Sequence, residues 1–135
     1  MLGPVYFYAI VGGGLAGLQL ALRLKEDVFF KGKKIAIIDP SFKITRDKTW
    51  CFWEKGHGRW DALITTQWQK GKFISNIADE HLDLTPYSYK MLASERFFEY
   101  ALAEITTSED FILIEDEISE IDPVTMKAIG KNNTY

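Results

Sequence analysis

The chain has 135 residues, of which 47% are hydrophobic, 26% charged and 14% aromatic, with a formal net charge of −3. That length and balance describe one ordinary globular domain and exclude a low-complexity tail. The acidic balance excludes a general nucleic-acid binder, which needs a basic face, and the lone Cys51 excludes an internal disulfide or a cysteine-rich zinc site.

From Met1 to Leu22 no side chain is charged. Such a stretch approaches the length of a bilayer span. Pro4 and the glycines at 12, 13, 14 and 17 would break that helix, and no basic residues precede the run as a secretory signal requires. The pattern predicts a buried strand over residues 6–11, a glycine turn, and a helix over 15–24. Leu15, Leu18 and Leu22 form the helix stripe, with Ala16 and Leu20 beside it, and Lys25, Glu26 and Asp27 close it in solvent. Ile35-Ala36-Ile37-Ile38-Asp39 reads as a second buried strand ending on an acid. Strand, helix and strand make a right-handed βαβ unit.

Residues 41–85 hold the tryptophans and few clean periodicities. Antiparallel strands are expected over 67–75 and 82–84, with an extended stretch over 87–92. Ser94 is placed to cap a helix running to Ile105, whose core face is Phe97, Phe98, Ala101, Leu102 and Ile105. A third parallel strand is expected over 111–114, running on through Ile118 and Ile121. Asp122-Pro123 turns the chain, 125–129 pairs back, and 130–133 is a second turn. The predicted fold class is α/β, a Rossmann-like nucleotide-binding domain with a parallel sheet and an antiparallel hairpin. Three parallel strands are half of a doubly wound domain, so residues 1–135 read as the N-terminal part of a longer protein.

Gly12-Gly13-Gly14-Leu15-Ala16-Gly17 fits the G-x-G-x-x-G pattern at the strand-to-helix turn. Its first glycine makes the tight turn, its second admits a pyrophosphate to the main chain, and its third lets helix and strand pack closely. The free N–H groups of the helix start, at the positive end of its dipole, suit phosphate oxygens. Asp39, about 20 residues beyond, can accept hydrogen bonds from an adenosine ribose. An acid there disfavours a 2′-phosphate, which leaves FAD or NAD. Periodicity does not separate those two.

Asp47-Lys48-Thr49-Trp50-Cys51-Phe52-Trp53-Glu54 follows the second strand, and by composition it is a loop whose aromatics fill a core. The segment resembles a stretch of the bacterial and plant lycopene cyclases. The turn Val11-Gly-Gly-Gly-Leu-Ala-Gly17, and Tyr89-Lys90-Met91-Leu92 before the Ser94-x-x-Phe97 helix, resemble the same family, so the likeness covers most of residues 5–121. It implies a flavoprotein of the glutathione-reductase-like superfamily that closes lycopene end groups into β-ionone rings without net redox change. A carboxylic acid starts the reaction, reduced FAD is required, and NAD(P)H serves as its reductant.

Carried over by that resemblance, Gly12, Gly13, Gly14, Leu15, Ala16 and Gly17 surround the FAD pyrophosphate and Asp39 holds the ribose. Ile118 offers main-chain atoms to the adenine, Thr49 and Trp50 lie near the flavin, and Arg46 is a loop charge nearby. The catalytic acid of the family lies beyond residue 135. A lipophilic polyene substrate implies a cytoplasmic protein peripheral on a membrane surface. The alternatives are another flavin-dependent oxidoreductase, of aromatic hydroxylase or isoprenoid reductase type, and a nucleotide-binding module inactive by itself. Glu115, Asp116, Glu117 and Glu120 read as a solvated strand edge, and Cys51 as a buried apolar filler. His57 and His81 read as isolated loop residues without metal-ligand spacing, so no metal is expected.

Overall fold

The computed structural model describes residues 5–45 and 47–135 of the chain. Arg46, expected near the cofactor, lies outside the described residues. The chain divides into two compact units, one over Met1–Ile44 and Phe98–Tyr135, the other over Thr45–Phe97.

The first unit is built on the predicted βαβ motif. Strand β1 (Tyr8–Val11) leads through the glycines into helix α1 (Leu15–Glu26), and strand β2 (Ile35–Asp39) lies parallel to β1 in the register Tyr8↔Ile35 to Val11↔Ile38. Ile35, Ala36, Ile37 and Ile38 are all buried, as expected of a central parallel strand covered on both faces. Leu18, Ala21 and Leu22 form the buried stripe of α1, while Leu20 stays half-exposed. The helix ends at Asp27, whose carboxylate accepts from the N–H of Phe29 and starts the short 3-10 turn Val28–Phe30.

The third parallel strand is present as strand β8 (Phe111–Glu115), beside β2, so the sheet order is β1-β2-β8. It does not run on through Ile118 and Ile121. The ladder stops at Glu115, and Ile118–Asp122 forms a separate strand, β9, paired antiparallel with strand β10 (Lys127–Gly130). In the turn between them Asp122 accepts from the backbone of Val124 and the hydroxyl of Thr125, and Met126 takes a left-handed φ of 53°.

The second unit is antiparallel. Strand β3 (Thr49–Lys55), strand β4 (Thr66–Trp68) and strand β7 (Tyr87–Ala93) form one sheet in the order β3-β7-β4. Strands β5 (Lys70–Ile74) and β6 (Asp79–Asp83) form a hairpin. The loop expected at residues 47–54 is therefore a strand, and its exposure alternates residue by residue, as a half-buried strand requires. The single strand expected over 67–75 is two, divided at Gln69, whose carbonyl accepts from the N–H of Leu84 at 2.9 Å.

Helix α2 (Ser94–Thr106) begins where expected. Ser94 is its first residue rather than its cap: the hydroxyl donates to the Thr45 carbonyl at 3.0 Å and accepts from the N–H of Lys48 at 3.3 Å. Phe97 is fully buried and meets the rings of Trp50 and Trp60 edge-on, at 5.9 and 5.3 Å between centroids. No helix among the described residues is long and apolar enough to cross a membrane.

Candidate functional site

The carboxyl ends of the three parallel strands hold the glycine turn, Asp39 and Glu115 together. The N–H of Gly12 still belongs to the sheet, donating to the Ile38 carbonyl at 2.8 Å, but its φ of +108° turns the chain out of the strand. That backbone angle favours glycine. The N–H of Gly13 then donates to Asp39 Oδ2 at 2.8 Å, and the N–H of Ser41 donates to the other oxygen at 3.0 Å. The acid that ends β2 is thereby tied to the turn that ends β1. Among the described residues each carboxylate oxygen accepts one hydrogen bond, which leaves a second lone pair for a hydroxyl donor.

The remaining glycines divide the labour. A Cβ on Gly17 would stand 1.9 Å from the Gly12 carbonyl oxygen, so this position sets how closely helix and strand approach. A Cβ on Gly14 would meet nothing within 4 Å. The main chain there faces open space. Gly14 caps α1 with no side-chain hydrogen bond, and the first turn of the helix carries no acid. The N–H groups of Leu15 and Ala16 are therefore available in a field that favours an anion.

A Cβ on Gly13 would strike the ring of Phe42 at 2.6 Å, and the N–H of Phe42 donates to Glu115 at 3.4 Å. Phe42 lines this site, and sequence reading did not single it out. Ile118 starts β9 opposite Gly130, half-buried in the same unit. Thr49 and Trp50 belong to the second unit, where Thr49 is exposed and the ring of Trp50 packs on Phe97.

Two charged centres went unread. Asp116, expected as a solvated edge, is only 3% exposed. Its carboxylate accepts from the Tyr135 hydroxyl at 2.8 Å, from the N–H groups of Glu117, Asn132 and Asn133, and from the Asn132 side chain. Burial pushes its pKa up, but those donors, led by Tyr135, outweigh it and hold it below the usual value.

In the second unit Lys90 is 1% exposed, and its ammonium donates to Asp61 at 2.6 Å, Glu54 at 2.8 Å and the Gly56 carbonyl at 3.1 Å. Burial pulls the Lys90 pKa down, yet the bonds to Asp61 and Glu54 leave it raised. Asp61, held by Lys90, by the Gly58 backbone and by His57, is lowered to about 2. The sequence pattern pointed the other way, since Lys90 shares its face of β7 with Ser88 while Tyr87, Tyr89 and Met91 occupy the opposite one.

Cys51 is exposed rather than buried, because it alternates outward with Trp53. His81 lies in β6 opposite Lys72 rather than in a loop, and no group of metal-ligating side chains occurs among the described residues.

The family model described as lycopene cyclase protein matches residues 8–130. The chain belongs to the lycopene cyclase family. No curated relative matches this lycopene cyclase family chain by sequence. Its α/β fold is shared with solved structures of low sequence identity. A mutant of 2-methyl-3-hydroxypyridine-5-carboxylic acid oxygenase matches at a TM-score of 0.70 and 13% identity, over 98% of this chain and 37% of that one. PqsL, described as a probable FAD-dependent monooxygenase from Pseudomonas aeruginosa, matches at 0.66 and 11%, over 96% and 39%. A putative thioredoxin reductase from Bacillus anthracis matches at 0.51 and 20%, over 97% and 33%. The family member thus spans well under half the length of the solved chains it matches.

Proposed function

We propose that this chain is the FAD-binding portion of a lycopene cyclase. The observation that carries the reading is the turn itself: open space lies beside Gly14 at the start of α1, with the Asp39 carboxylate tied to the neighbouring Gly13. That donor set suits a dinucleotide. Main-chain amides at Gly14, Leu15 and Ala16 bind and orient the pyrophosphate, and Asp39 accepts from the ribose hydroxyls. A neighbouring carboxylate also repels a 2′-phosphate, which leaves FAD or NAD. Between those two, the family match and a fold shared with PqsL, described as a probable FAD-dependent monooxygenase, support FAD.

When bound and reduced, with NAD(P)H as its reductant, FAD would supply an electron-rich surface that stabilises positive charge in the substrate. In the reaction an acid outside these residues protonates the terminal double bond of lycopene. The next double bond attacks the resulting cation, the ring closes, and a proton is lost, so the product is an isomer of the substrate. The polyene is insoluble in water, which places the working enzyme on a membrane surface.

Gly14→Val in the full-length protein tests the turn. The branched side chain fills the open space, so the variant purifies without flavin absorbance while the stripped protein melts like stripped wild type. A full flavin spectrum in that variant overturns the assignment. In cells that accumulate red lycopene, the wild-type protein yields orange β-cyclic product, and this variant does not. An oxygen-dependent hydroxylation in place of ring closure would sink the cyclase reading and keep the flavin.

A further inference from the structure

Asp116 lies between the two stretches assigned to adenosine, and no part of the cofactor assignment uses it. Its N–H donates to the carbonyl of Asp39 at 3.1 Å, which anchors the main chain of the ribose-binding acid. Its carboxylate binds the N–H of Glu117, the residue before Ile118. The same carboxylate gathers Asn132, Asn133 and Tyr135 into one turn, and Lys131 closes it by donating its N–H to the Glu117 carbonyl at 3.1 Å. Gly130 completes the fit, since a Cβ there would stand 2.3 Å from Asp116 Oδ2.

A buried carboxylate with five protein donors is costly to assemble and fixes the position of every group it touches. Here the carboxylate fixes the N–H of Glu117 and the turn of Asn132, Asn133 and Tyr135, and the amide of the same residue holds the Asp39 carbonyl.

Resting on the FAD reading above, we propose that Asp116 is a positioning residue for the adenosine half of the cofactor. It sets Asp39 and the 117–118 main chain relative to one another, and Tyr135 is its principal partner. Asp116 itself does not touch the nucleotide. It acts through Asp39.

The test uses flavin-stripped full-length protein, with FAD and ADP binding measured by calorimetry at a temperature where each variant keeps the wild-type circular dichroism spectrum. Asp116→Asn leaves several donors facing an amide, and weakens FAD and ADP by the same factor, about tenfold to a hundredfold. Tyr135→Phe removes one donor and gives a smaller loss of the same kind. The deciding readout is a double-mutant cycle with Asp39→Asn. If Asp116 acts through Asp39, the loss in ADP affinity in the double variant is less than the product of the two single losses.

Independent, multiplicative losses, or a loss of FAD affinity with ADP affinity unchanged, overturn the proposal. If Asp116→Asn does not fold, the Tyr135→Phe cycle decides by the same criterion. Wild-type protein that binds neither FAD nor ADP sinks the FAD reading itself, and the proposal with it. Wild-type binding with multiplicative losses sinks the proposal alone.

Discussion

In the first unit the central strand Ile35–Ile38 is buried and wholly apolar, whereas in the second the buried side of β7 carries Ser88, Lys90 and Leu92. The difference follows from how each sheet is covered. A parallel strand enclosed on both faces has no room for charge along its length, so its polar groups gather at the strand end. There the backbone supplies them, through the glycine turn, which Asp39 ties down at Gly13. An antiparallel strand offers alternate side chains, and β7 places a lysine on the inner face that only Glu54, Asp61 and a carbonyl can satisfy. One unit gathers its polar groups on the main chain at the strand ends, the other in side-chain charge on a strand face.

The sharpest way to break this contrast is to repeat one substitution three residues away. Gly17→Val places a branched side chain against the Gly12 carbonyl, where a Cβ has only 1.9 Å. The loss of stability exceeds about 4 kcal/mol, as overpacking at a backbone contact can produce. Urea unfolding of the stripped protein measures it. Gly14→Val, with open space, leaves the same curve unmoved. Equal destabilisation by both variants would remove the distinction between a packing glycine and a ligand glycine.

Lys90→Met probes the other unit. It leaves Glu54 and Asp61 without their shared cation and costs about 3 kcal/mol, the lower end for breaking a buried pair because both acids reach solvent. A variant as stable as wild type would show that Lys90 only fills space.

Acid gives a smaller and graded effect. Asp61 has a folded pKa of about 2, below its unfolded value, so it stabilises the folded state fully above about pH 4. That contribution fades as pH falls through its folded value. The urea-midpoint advantage of wild type over Asp61→Asn is therefore full at pH 5 and reduced at pH 2.5. An advantage that grows on acidification contradicts the assigned ion pair.

Much of the first unit was legible because its signals are local. The run Ile35–Ile38 has to be buried, and Gly12 has to turn the chain where Gly17 lets helix and strand approach. Asp39 was found by its spacing from that turn. The break after Glu115 was not legible, because Ile118 and Ile121 continue the apolar pattern and only the partners of Asp116 show where the ladder ends. In the second unit β3 was hidden. Trp50, Phe52, Cys51 and Trp53 are apolar on both sides, so the period of two disappears from the composition although exposure still follows it.

The amino-acid order alone determined the βαβ motif, the turn and its acid, since backbone sterics and hydrophobic runs act between residues close along the chain. The tertiary structure decided which charges are interior. Asp116 meets Tyr135, and Lys90 meets Asp61, across long stretches of chain, and the energy of a buried ion depends on partners that no local pattern announces.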